Sequence, residues 1–135
     1  MFRKIDDSLS VAGQISPEDV AEAARQGFTM IINNRPDDEQ PGQPSGADIH
    51  AAAREAGLDY VAIPITHAGF SEDQMTAMGD AIAAARGPVL AFCRSGTRST
   101  FVWALSQSRA GVDPQELVRK AAGAGYDIGP VLAQR

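Results

Sequence analysis

Short apolar runs alternate with capped helical stretches along most of this chain, and that alternation limits the folds open to it. Leu9 to Ala12 reads as a short strand. Ser16-Pro17-Glu18-Asp19 then opens a helix: Ser16 caps it, Pro17 suits its first position, and Asp19 completes a capping box. Val20, Ala23 and Ala24 share one face of that helix, which ends at Gly27. Phe28 to Ile32 is continuously apolar and β-rich, the pattern of a strand covered on both faces. Ala47 to Ala56 is a second helix stopped by Gly57, and Leu58 to Ile65 a strand interrupted late by Pro64. Ser71-Glu72-Asp73-Gln74 is another capping box, for a helix running to about Arg86. Gly87-Pro88 leads into Val89 to Phe92, the strand with the most buried character. A helix follows from Arg98 or Ser99 to about Ala110, and Asp113-Pro114-Gln115-Glu116 caps one more, to about Ala122. Strands alternating with helices predict a single α/β domain over residues 1–135, with a four- or five-stranded, mostly parallel sheet flanked by helices on both faces.

Two stretches fall outside the pattern. Asn33 to Gly46 is rich in Pro, Gly, Asp and Gln, and its length marks a loop that is functional or mobile. The tail from Gly123 to Arg135 is Gly-rich and carries no clear periodicity.

In a parallel sheet, ligands bind beyond the carboxyl ends of the strands. Cys93, the only cysteine, lies at that end of the strand expected at the centre of the sheet, in Cys93-Arg94-Ser95-Gly96-Thr97-Arg98-Ser99. A tight loop between strand and helix aims successive backbone N–H groups at one point, and the helix N-terminus adds partial positive charge. Ser95, Gly96 and Thr97 are small enough for the backbone to curl around an anion, and Gly96 takes a positive φ without strain. Arg98 can close the ring with a planar, permanently charged fork. Such surroundings favour the thiolate, the nucleophilic form of cysteine. A lone cysteine ending a buried strand is often only a small hydrophobe; the company of Gly96, Arg98 and Ser99 points to catalysis.

Composition excludes several other roles. The formal net charge is −5 and no Lys/Arg block exists to neutralise phosphates, which argues against nucleic-acid binding. No apolar stretch approaches a membrane span, and the first residues lack the apolar segment of a signal peptide. A reducing, cytoplasmic location is expected. One cysteine permits no internal disulfide, and two histidines, His50 and His67, give little for a transition-metal site. No cofactor is called for.

Four stretches recur as a set: Gly13-Gln14-Ile15-Ser16-Pro17-Glu18-Asp19, Ile32-Asn33-Asn34-Arg35-Pro36-Asp37-Asp38-Glu39, the Cys93 loop with Trp103, and Gly125-Tyr126-Asp127-Ile128. With them the chain resembles, nearly end to end, the phosphatase-like domain of the beta-lactamase hydrolase-like proteins. The resemblance implies the fold of the cysteine-dependent protein tyrosine and dual-specificity phosphatases. It implies either phosphatase or sulfurtransferase chemistry, since members of the family are assigned to both. It also implies a sulfide-oxidation setting, because relatives occur fused to persulfide dioxygenases or flavin-dependent sulfide-oxidising enzymes. Ser99 corresponds to the hydroxyl that follows the arginine in relatives and bonds the cysteine thiolate.

The match departs from the phosphatase signature. That signature places five residues between Cys and Arg, usually with His before the Cys; here Phe92 precedes Cys93 and only four residues separate it from Arg98. The spacing resembles the active loop of rhodanese sulfurtransferases. A shorter loop makes a smaller cradle, which suits one persulfide sulfur better than a tetrahedral phosphate. Related phosphatases also place an Asp upstream as general acid. The corresponding stretch, Pro64 to Phe70, has no carboxylate, leaving His67 there and Asp37 in the long loop as candidates. Sulfur transfer needs no strong acid. Arg35 is expected near the same edge, binding the substrate anion or bracing the loop, and Arg94 is a candidate for a sulfonate or a glutathione carboxylate. Trp103 is expected to pack in the core.

The leading expectation is therefore a thiol sulfurtransferase. Cys93 would take the outer sulfur of thiosulfate or glutathione persulfide, the N–H groups of Arg94 to Arg98 would hold the persulfide, and an outside thiol acceptor would remove it. The alternative is a phosphatase running through a phosphocysteine. A third reading is an anion-binding module without turnover, docked on a sulfide-oxidising enzyme partner.

Overall fold

The computed structural model describes residues 2–133. Its elements run β1 (Arg3–Lys4), β2 (Leu9–Ala12), α1 (Pro17–Arg25), β3 (Met30–Asn33), α2 (Gly46–Glu55), β4 (Asp59–Ala62), α3 (Glu72–Ala84), β5 (Val89–Phe92), α4 (Thr97–Arg109), α5 (Pro114–Gly123) and α6 (Gly129–Ala133). The expected α/β class holds, with five strands in the order β1-β2-β5-β3-β4. β2, β5, β3 and β4 are mutually parallel, and β1 adds an antiparallel edge against β2.

Side-chain alternation along the strands builds two cores. Val89 and Ala91 of β5, with Met30 and Ile32 of β3, face a cluster that includes Met78 of α3, Val102 and Trp103 of α4, Leu117 of α5 and Val131 of α6. Leu90 and Phe92, with Ile31, face Val20 and Ala23 of α1 and Ile49 and Ala53 of α2. Both faces of β5 are thus covered, as a continuously apolar run requires. Leu90 is fully buried; truncating such a residue to Ala costs about 2–5 kcal/mol. Trp103 lies in the core, as its helical position suggested. Among the described residues no helix is long and apolar enough to cross a membrane.

Local chemistry sets the element boundaries. Both expected capping boxes form, Ser16 with Asp19 and Ser71 with Gln74. β3 starts later than the apolar run suggested. Phe28 N donates to Ala23 O and Gly27 N to Ala24 O, so Phe28 completes the end of α1 instead of starting the strand. The strand also extends to Asn33, whose side chain is tied to Tyr60 Oη at 3.0 Å. Within the tail that showed no pattern, Gly129–Ala133 forms α6; residues 134 and 135 lie outside the described residues.

The register aligns the carboxyl ends of the strands, with Ala12 and Asn33 both opposite Phe92 and Ala62 opposite Asn33. Hydrogen bonds continue the ladder past the strands: Cys93 N to Ala12 O at 3.3 Å, Asn34 N to Phe92 O at 2.8 Å and Ile65 N to Asn34 O at 2.9 Å. Cys93 therefore leaves the middle of the sheet held on both sides, at the edge where the long loop after β3 also emerges.

Candidate active site

The loop from Cys93 to Gly96 joins β5 to α4, and Gly96 is the residue on which it turns. Gly96 has φ 89° and stands at the N-cap of α4 with no side-chain cap. The four other helices with a described cap are capped by Ser16, Ser45, Ser71 and Asp113. The first amides of α4 are thus left as open donors, the arrangement that binds anions. Gly96 N–H points at Cys93 Sγ, 3.1 Å away. The other end of Gly96 is fixed as well, because its carbonyl accepts from Thr100 N at 3.0 Å and Thr100 Oγ1 at 2.8 Å.

Arg98 lies in the first turn of α4 and is held in place by the long loop. Its Nη1 donates to Glu39 Oε2 at 2.8 Å and to Ile65 O at 2.7 Å, and its Nη2 donates to Glu39 Oε1 at 2.8 Å. Three of the five guanidinium hydrogens are used. Among the described residues Nε–H and one Nη2–H take no oxygen acceptor; such a parallel pair grips a tetrahedral oxyanion. The Glu39 carboxylate raises the Arg98 pKa, and negative charge on Cys93 adds to that effect.

Glu39 is a site residue that sequence reasoning passed over. It also accepts from Arg35 Nε at 2.9 Å, so one carboxylate serves two guanidinium groups. Hydrogen bonding from Arg98 chiefly, and from Arg35, outweighs its burial and holds its carboxyl well below the usual range, at about 2. Asp38, with φ 64°, makes the left-handed turn that delivers it. The loop is folded on its own side chains: Glu39 N donates to Gln43 Oε1, Gln43 Nε2 to Pro36 O and Arg35 N to Asn33 Oδ1. The sequence signal was its place at the end of the Ile32 to Glu39 stretch that carries the family resemblance, four residues after Arg35.

The remaining candidates divide into those at the site and those away from it. A mouth of about 470 Å³ opens beside the loop, lined by Glu39, His67, Arg94, Ser95 and Arg98. Arg94 and His67 therefore sit where an incoming substrate would meet them. Arg35 is only 4% exposed and bonds Glu39, Gln14 and Gln40, so it braces the loop and does not face the mouth. Asp37 points elsewhere: its Oδ1 accepts from Gly46 N at 2.8 Å, and it lines a separate cleft with Asn33, His50 and Tyr60. Ser95 Oγ and Thr97 Oγ1 pair with each other at 3.1 Å.

One expectation needs correction. Among the described residues the buried Ser99 Oγ has no hydrogen-bond partner, so it does not bond the Cys93 sulfur; Gly96 N–H takes that place. Of the loop amides, only that of Gly96 is bonded to the sulfur. Cys93 is fully buried, so its sulfur lies beneath the mouth instead of lining it. Among the described residues, no three His, Cys, Asp or Glu side chains are grouped as metal ligands.

Residues 1–110 match the family described as the beta-lactamase hydrolase-like protein, phosphatase-like domain. The chain is 38% identical over 126 residues to a beta-lactamase hydrolase-like protein of Xylella fastidiosa, covering 93% of this chain and 29% of that protein. A relative of the same name in Agrobacterium fabrum is 39% identical over 108 residues, again covering only 25% of its length. A candidate phosphatase from Neisseria meningitidis superposes with a TM-score of 0.86 at 30% identity, covering 98% of this chain and 94% of that one. The structure named Tk-PTP in the active form, at 22% identity and a TM-score of 0.71, shares the fold. These relatives give the fold of cysteine-dependent phosphatases and lend no support to a rhodanese-like sulfurtransferase.

Proposed function

Because the chain belongs to the phosphatase-like domain family of the beta-lactamase hydrolase-like proteins, we propose that it hydrolyses phosphomonoesters through a phosphocysteine at Cys93. The observation that carries this reading is the joint aim of the loop: Gly96 N–H on the Cys93 sulfur, and Arg98 fixed by Glu39 with two guanidinium hydrogens that take no oxygen acceptor among the described residues. Phosphatase names among the related proteins and structures support it.

In the first step the Cys93 thiolate attacks phosphorus and the ester P–O bond breaks. Arg98 and the open amides of α4 stabilise charge on the three non-bridging oxygens. The leaving oxygen needs a proton. Glu39, held ionised between two arginines, has none to give. His67, which also lines the mouth, takes that role in this reading. In the second step water attacks phosphorus, His67 accepts its proton, the P–S bond breaks, and inorganic phosphate leaves with the thiolate restored.

The four-residue spacing of Cys93 and Arg98 favours a second reading, sulfane-sulfur transfer from thiosulfate or glutathione persulfide to an outside thiol. A substrate panel separates the two. The expected result is hydrolysis of aryl and alkyl phosphates that is lost in Cys93→Ser, with weaker sulfur transfer. His67→Asn should slow the alkyl phosphate about 10²-fold or more, and the aryl phosphate far less, since a good leaving group needs little protonation. Turnover of the sulfur donors alone would overturn the proposal.

A further inference from the structure

Tyr126 touches the active loop from outside the part of the chain that the family match covers, which ends at residue 110. It is delivered there by the end of α5. Gly125 N donates to Ala122 O and Tyr126 N to Ala121 O, with Gly125 at φ 94°. That closing motif turns the chain sharply out of the helix. Arg3, from β1 at the far sheet edge, donates to Ala124 O at 3.0 Å and lies 5.7 Å from the centre of the Tyr126 ring. So placed, the Tyr126 hydroxyl donates to Ser95 O at 2.9 Å. It lies so close to Gly96 Cα that a methyl group there would overlap it.

Ser95 O and Gly96 N–H belong to the same peptide unit. In a trans peptide they point in opposite directions. Holding the carbonyl outward on Tyr126 therefore holds the N–H inward, on the sulfur of Cys93, at 3.1 Å. No other bond to that carbonyl is present among the described residues. Without it the peptide can flip, because Gly96 accepts either sign of φ at little cost. The phenol is a dependable donor: burial pushes its pKa up by more than the nearby Arg3 charge pulls it down, and negative charge on Cys93 adds a smaller upward push.

We propose that Tyr126 is a positioning residue for the nucleophile, its hydroxyl locking the Ser95–Gly96 peptide so that Gly96 N–H stays on the Cys93 thiolate. The inference rests on the reading of Cys93 as the nucleophile and adds a residue to it. Alkylation by iodoacetamide tests it without any substrate, so its failure is separate from failure of the phosphatase assay. Tyr126→Phe keeps the ring and removes one oxygen. The pH midpoint of Cys93 alkylation should rise by about one unit in this variant, the size expected for losing one hydrogen bond to a charged group. A purely structural role, or a change in access, would alter the plateau rate or the melting temperature and leave the midpoint in place. An unchanged midpoint overturns the proposal. An NMR titration of the wild type gives a check that does not depend on the variant folding. The Gly96 amide should move with the same midpoint as alkylation, and a Gly96 amide that ignores the ionisation of Cys93 would also overturn it.

Discussion

Glu39 does at the scale of one residue what the loop sequence could not announce: it fixes Arg98 end-on and leaves the adjacent edge for a ligand. Its depressed carboxyl makes a pH prediction with a definite sign. The group lies at about 2 in the folded protein against an ordinary 4.5. Its contribution to stability is therefore full above about pH 4.5 and is lost as the pH falls towards 2. Glu39→Gln removes that contribution. The difference in melting temperature between wild type and Glu39→Gln should be positive at neutral pH and shrink steadily between those limits. A difference that stays constant down to the lower limit would mean that Glu39 is not paired in solution. The same variant should lower kcat/KM for an aryl phosphate by roughly tenfold or more, because two guanidinium groups lose their shared partner.

At the scale of elements, the junction of β5 with α4 sets what the site can hold. α4 begins at Thr97, so Arg98 already lies on the helix and its direction is set by helical geometry. One glycine inserted after Thr97 would restore the five-residue spacing of the phosphatase signature. It would also turn Arg98 by about 100° if added to the helix, away from Glu39 and Ile65 O. The expected outcome is a fall in kcat/KM for aryl phosphate of about 10²-fold or more, the scale of losing one preorganised oxyanion donor. A rise would show that the short spacing limits phosphate chemistry. The elements themselves were largely legible in the sequence, and for physical reasons. Capping boxes at Ser16 and Ser71 and the apolar run of β5 are local signals, and each formed where it was read. β1 was not legible because two exposed basic residues carry no pattern; only pairing with Ser10 and Val11 makes them a strand. Cys93 and Arg98 declared themselves by their place between strand and helix. Glu39 and Tyr126 stood within the stretches that carry the family resemblance, but their roles were not legible, because each acts across a long sequence separation, 59 residues to Arg98 and 31 to Ser95.

At the scale of the molecule, the site is assembled from both ends of the chain. β5 and α4 supply the nucleophile and the cradle, the loop after β3 supplies the brace, and β1 and the turn after α5 supply the Arg3–Tyr126 contact. The chain spans less than a third of the curated relatives it matches, and in those proteins the same unit accompanies further sequence. Its chemistry is nonetheless testable in isolation, because the described sheet has both faces covered and the groups around the loop come from this chain. The direct test is the covalent state of Cys93 during turnover. Protein quenched in acid while consuming an aryl phosphate should give a Cys93 peptide heavier by one phosphoryl group, absent from Cys93→Ser. Hydrolysis that proceeds while the Cys93 peptide stays unmodified, or a peptide that gains a single sulfur from a persulfide donor and never a phosphoryl group, would contradict the account.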